Sequence, residues 1–180
     1  MTDRSRFRLS LPRKALAILG FVILLLAGFE AAAQNRLGQV TGLPIPRFVT
    51  LGAGEVNVRT GPGGDYPVLW TFVRQGYPVE VTQEFDNWRR VRDSNGDEGW
   101  VLGALLSSRR YGVVRATDDG APVPAYSSPA ATAGVAAQLQ PGVMAEIVEC
   151  RQGWCRLTDS RFTGWVEQGR LWGVYPDETF

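Results

Sequence analysis

The chain has 180 residues, with 19 Lys plus Arg against 18 Asp plus Glu, and no His. Without an imidazole it can use neither Ser-His-Asp nor Cys-His nucleophile activation, nor His-ligated zinc, nor a His base; carboxylate-only catalysis survives that filter. A hydrophobic fraction of 44% and a charged fraction of 21% are those of a chain that folds around a core.

The first segment has the order of an export signal. Arg4, Arg6, Arg8, Arg13 and Lys14 make a basic start, the apolar run Ala15 to Gly28 follows, and Ala31-Ala32-Ala33 supplies small residues for cleavage. The apolar run is shorter than the roughly 20 residues needed to cross a bilayer. We therefore expect a signal peptide over 1–33 cut between Ala33 and Gln34, the alternative being a retained N-terminal anchor. No Cys lies near the cut, which argues against a lipid anchor. Residues 1–33 hold five bases and two acids, so the exported remainder has 14 basic and 16 acidic side chains and a net charge of −2. That balance disfavours nucleic acid as a partner. An exported chain without a second apolar run has no membrane contact after cleavage.

Residues 34–46 (QNRLGQVTGLPIP) show no helical or strand period and read as a linker. From Arg47 onward, apolar residues alternate over short runs such as EVNVR, VEVTQ, RRVRD and GWVLG, broken by Gly, Pro, Asp and Asn. Short alternating runs with frequent turn signals predict an all-β chain. Between them, Thr60-Gly61-Pro62-Gly63-Gly64-Asp65-Tyr66-Pro67 reads as a shaped loop and Asp93-Ser94-Asn95-Gly96-Asp97 as a hairpin turn. Asp97-Glu98, Asp118-Asp119 and Asp177-Glu178 all fall in turns or the tail, so no acid pair suggests a glycosidase cleft and no enzyme is expected. Cys150 and Cys155, in VECRQGWCRL, match neither a redox nor a zinc spacing; no metal or cofactor is implied, and in an exported protein they are expected to form a disulfide.

The two halves repeat. Gly76 and Gly142 lie 66 apart, as do Trp88 and Trp154, and Val91 and Leu157. Gly99-Trp100-Val101 recurs as Gly164-Trp165-Val166 at a shift of 65, and Pro62 recurs as Pro129 at a shift of 67. A shift constant within one residue indicates two copies of one module, at 47–108 and 110–175. On the same shift Cys150 and Cys155 fall on Glu84 and Arg89, so an ion pair in one copy is expected where the other holds a disulfide. Retention of Trp88, Trp100, Trp154 and Trp165 predicts core or barrel-closing roles, with large aromatics filling two small cores.

The first copy runs VNVRTGPG, an apolar pair, Gly76, V-E-V, a hairpin, W-x-x-V, a polar turn and GWV. This order resembles the bacterial SH3-like (SH3b) domain family over nearly all of 47–108. The second copy keeps the Gly, the W-x-x-apolar and the GWV, but has VPAYSSPA where the first has VNVRTGPG. The resemblance implies two tandem small SH3-like β-barrels in a protein of the periplasm or cell wall that binds peptidoglycan, its peptide stems or an envelope protein.

Within that frame Arg59 beside the TGPG loop is a candidate for holding a ligand carboxylate, the alternative being that it orders the loop. Tyr66, Trp70 and Tyr77 have no aromatic counterpart in the second copy and are the candidate groove aromatics. The second copy, with Tyr126-Ser127-Ser128-Pro129-Ala130 at the loop, lacks both the cation and the glycines. Ligand binding is therefore expected mainly in the first copy. The competing reading is an envelope adaptor that never touches peptidoglycan.

Overall fold

The computed structural model describes residues 36–180, so the expected signal peptide and its Ala33–Gln34 cleavage point lie outside the described residues. A short hairpin of β1 (Arg36–Leu37) and β2 (Pro44–Ile45) comes first. The first copy then supplies β3 (Arg47–Leu51), β4 (Val56–Arg59), β5 (Val68–Phe72), β6 (Pro78–Phe85), β7 (Trp88–Arg92), β8 (Glu98–Leu102) and β9 (Leu106–Ser107). The second supplies β10 (Tyr111–Val114), β11 (Val123–Tyr126), β12 (Val135–Leu139), β13 (Met144–Arg151), β14 (Trp154–Thr158), β15 (Thr163–Glu167) and β16 (Leu171–Trp172).

The repeat is visible as topology. One seven-stranded sheet has the order β5-β4-β8-β7-β6-β3-β9 and the other β12-β11-β15-β14-β13-β10-β16, the same order element for element. Both are antiparallel, and each long strand is bulged at the same place, between Val81 and Gln83 in β6 and between Ile147 and Glu149 in β13. The turn glycines also match: Gly76 and Gly142 have φ of 81° and 82°, a conformation that disfavours a side chain.

The cores are aliphatic. In the first sheet Leu51, Val56, Val58, Val79, Val81, Val91 and Val101 are buried together. In the second, Val123, Ala125, Ala145, Ile147, Leu157, Val166 and Leu171 pack with the two cysteines. The expectation of aromatic cores is corrected by the strand pleat. Trp88 lies three residues from buried Val91, and Trp100 adjoins buried Val101, so both indoles stand on the opposite face and are only partly covered. A Cβ on Gly99 would run into Val58, and one on Gly164 into Ala125, where β8 and β15 cross their neighbours. In each GWV motif the Gly permits that close approach, the Trp faces outward and the Val enters the core. In the second copy Trp165 is buried all the same, beneath the Arg151 guanidinium 4.7 Å from its ring.

Residues 36–45, read as part of a linker, instead form the β1–β2 hairpin docked on β6. Its turn is held by Glu84, whose carboxylate accepts hydrogen bonds from the Val40 amide (3.0 Å), the Thr41 amide (2.9 Å) and hydroxyl (2.6 Å), and the Arg47 guanidinium (2.8 Å). Burial pushes the Glu84 carboxyl up, but these donors, led by Thr41 and Arg47, outweigh it and leave the pKa at about 2.

The two copies pack against each other. Phe48 of β3 meets the Trp172 ring edge-on at 4.9 Å and the Tyr175 ring at 4.7 Å. Trp172 donates its indole N–H to the Pro78 carbonyl (3.0 Å), and the Tyr175 hydroxyl donates to Glu80 (2.7 Å). Burial, followed by the bond to the Glu80 carboxylate, pushes the Tyr175 hydroxyl well above its usual pKa, so it stays protonated as a donor.

Candidate functional site

The first-copy loop is built as a rigid turn. Thr60 N–H donates to Pro67 (3.0 Å), Gly63 N–H to Gly61 (3.0 Å) and Tyr66 N–H to Gly63 (3.4 Å). The Tyr66 ring lies over Gly61 and Gly63, where a Cβ on Gly61 would overlap it. Arg59 closes the loop by donating from Nη1 to the Tyr66 carbonyl (2.7 Å). The guanidinium thus orders the loop and meets no carboxylate among the described residues, and a guanidinium held through one nitrogen can still meet an oxyanion. Tyr66 keeps 47% of its surface exposed.

The other two candidates stand in a separate aromatic ladder. Trp70 meets Phe72 edge-on at 6.0 Å, and Phe72 stacks on Tyr77 at 5.4 Å. All three pack against the first core, and the Tyr77 hydroxyl bonds Ser94 at 2.6 Å. Phe72, which joins the ladder, was missed in the sequence; its place two residues after Trp70 on one strand was the available signal. Arg59 and Tyr66 therefore form one cluster, and Trp70 and Tyr77 another one strand away. The exposed Val68 and Leu69 lie between them on β5, the sheet edge.

The second copy puts different chemistry at matching positions. Tyr126, opposite Trp165 in the register as Arg59 is opposite Trp100, meets Trp154 edge-on at 5.6 Å. Cys150 and Cys155 face each other across β13 and β14 and are bonded, with Cα atoms 4.1 Å apart. The matching cross-strand pair in the first copy is Glu84 and Arg89, joined at 3.6 Å. No helix among the described residues is long and apolar enough to cross a membrane.

The family described as the bacterial SH3 domain matches residues 52–108 and 119–173. A putative N-acetylmuramoyl-L-alanine amidase of Bacillus subtilis (strain 168) is 25% identical over 155 residues, which is 81% of this chain and 29% of that protein. The chain thus spans less than a third of the relative's length. Among solved structures, NlpC1 from Trichomonas vaginalis is similar with a TM-score of 0.33 and 15% identity, covering 75% of this chain and 48% of that one. NlpC2 from the same organism has a TM-score of 0.32 and 14% identity, covering 72% and 49%. An NlpC/P60 family protein from Bacillus cereus has a TM-score of 0.32 and 10% identity, covering 69% and 55%.

Proposed function

Since the chain belongs to the bacterial SH3 domain family, we propose that it is an exported, non-catalytic protein that holds peptidoglycan or its peptide stems through its first copy. In this reading residues 1–33 direct export, and each sheet curls around its core as an SH3-like barrel, over 47–108 and 110–175. The observation that carries the reading is the Arg59 loop. It is present in one copy and absent from the other, and its guanidinium is fixed by a carbonyl instead of neutralised by an acid. Muramyl peptides offer the carboxylates such a cation meets. The similarity to a putative N-acetylmuramoyl-L-alanine amidase supports a cell-wall partner, and the lack of His supports binding without catalysis.

Titration with soluble peptidoglycan fragments tests this. Arg59→Ala is expected to weaken binding by about 1–3 kcal/mol, the scale of a lost charged hydrogen bond, with folding intact. Wild-type affinity in the variant moves the site elsewhere, and release of cleaved glycan or peptide contradicts the non-catalytic reading.

One observation favours a second reading, an envelope adaptor. The edge strand β5 exposes Val68 and Leu69 and is followed by Val73, 80% exposed, as a surface for strand addition by a protein partner would. An adaptor leaves peptidoglycan unbound.

A further inference from the structure

A cleft of about 430 Å³ opens where the two copies meet. Its walls come from both: Glu80, Arg92 and Asp93 from the first copy, Arg115, Trp172 and Tyr175 from the second. Its size is that of a small-ligand site, and such sites favour domain junctions.

The polar groups are already organised. Glu80, buried at the junction, accepts from Arg92 through Nε (2.8 Å) and Nη2 and from the Tyr175 hydroxyl (2.7 Å). The Arg92 head is thereby fixed, and its Nη1 has no partner among the described residues. Asp93 is spent on its own turn, accepting the Asn95 and Asp97 amides at 2.8 and 3.0 Å. Arg115 differs. It donates Nε to the Leu171 carbonyl (2.8 Å) and rests 5.6 Å from the Trp172 ring centre, and among the described residues neither terminal nitrogen has a partner and no carboxylate pairs with it.

We propose that this cleft is a second binding site, which takes the free carboxylate end of a short peptide. Arg92 is paired with Glu80, and Arg115 is the cleft cation with no carboxylate bonded to it among the described residues, standing beside an aromatic wall. That combination fits a singly charged carboxylate on a small apolar body. A phosphate dianion fits poorly, because the Glu80 and Asp93 carboxylates share the cleft. The site needs both copies, which gives their packing a binding role distinct from that of the Arg59 loop.

The test is NMR titration of the full chain with N-acetyl-Ala-Ala, read at the Trp172 indole N–H and the Asn95 and Gly96 amides. Those resonances are expected to shift saturably. The C-terminal amide of the same peptide should bind about tenfold more weakly or worse, the scale of a charged hydrogen bond lost. Arg115→Gln should weaken the acid about tenfold by the same estimate, while Arg161→Gln, removing an exposed guanidinium elsewhere, should leave affinity within about twofold. Asn95→Glu, which adds a negative charge at the rim, weakens binding as well and serves if Arg115→Gln disturbs the fold. Equal binding of acid and amide, wild-type affinity in Arg115→Gln, shifts confined to the Gly61–Tyr66 loop, or tighter binding of inorganic phosphate would each overturn the proposal. Loss of the dipeptide with peptidoglycan binding intact removes the cleft and leaves the Arg59 reading standing.

Discussion

Glu84 and Trp88 show how much a single side chain can decide. Glu84 is buried among four hydrogen-bond donors and the Arg89 guanidinium, from three stretches of chain, and its carboxyl is held at about 2 against an ordinary 4.5. A carboxyl depressed in the folded state adds stability that is complete above 4.5 and is lost as pH falls toward 2. The shift corresponds to at most about 3.5 kcal/mol. Glu84→Gln is therefore expected to lower stability at pH 7 and to flatten the stability profile between about pH 5 and 2, measured by denaturant unfolding at each pH. Trp88 teaches the opposite lesson. Its recurrence as Trp154 suggested a core residue, yet an odd spacing from Val91 on one strand puts the two on opposite faces. Leu51→Ala, in the core, is expected to cost about 2–5 kcal/mol. Trp88→Ala should cost nearer the ordinary value of about 1 kcal/mol. Parallel urea melts of the two variants check the ordering.

At the scale of elements, the strands and their repeat were legible because period-two alternation and turn residues are local signals. EVNVR became β4 with Val56 and Val58 inward, and Asp93–Asp97 became the turn between β7 and β8. The β1–β2 hairpin was not legible. Its two-residue strands carry no period, and its anchor Glu84 lies more than forty residues away. The outward placement of Trp88 and Trp100 was legible in principle from strand parity. The hairpin of β13 and β14 adds a covalent tie where the first copy relies on Glu84 and Arg89. The Cys150–Cys155 bond closes only a short loop, so reducing it is expected to cost about 2 kcal/mol. Denaturant melts with and without reductant measure that cost. Free-thiol labelling of unfolded, unreduced protein should find no thiol.

At the scale of the whole molecule, two copies of one sheet have diverged in chemistry while keeping their topology. The first carries the Arg59 loop and the Trp70–Phe72–Tyr77 ladder; the second carries the disulfide, Arg115 and the Trp172 and Tyr175 rings that dock on Phe48. The junction could not be read from the repeat, because a shared period says nothing about packing between copies. One trace was present: Trp172 and Tyr175 fall where the first copy has Ser107 and Arg110, an aromatic mismatch outside the motifs. Binding to the wall without cutting it is the central claim. Co-sedimentation of the full chain with purified peptidoglycan tests it most directly, with the supernatant assayed for released glycan and peptide. The account expects saturable pelleting with nothing released; protein left in the supernatant at every peptidoglycan concentration would contradict it.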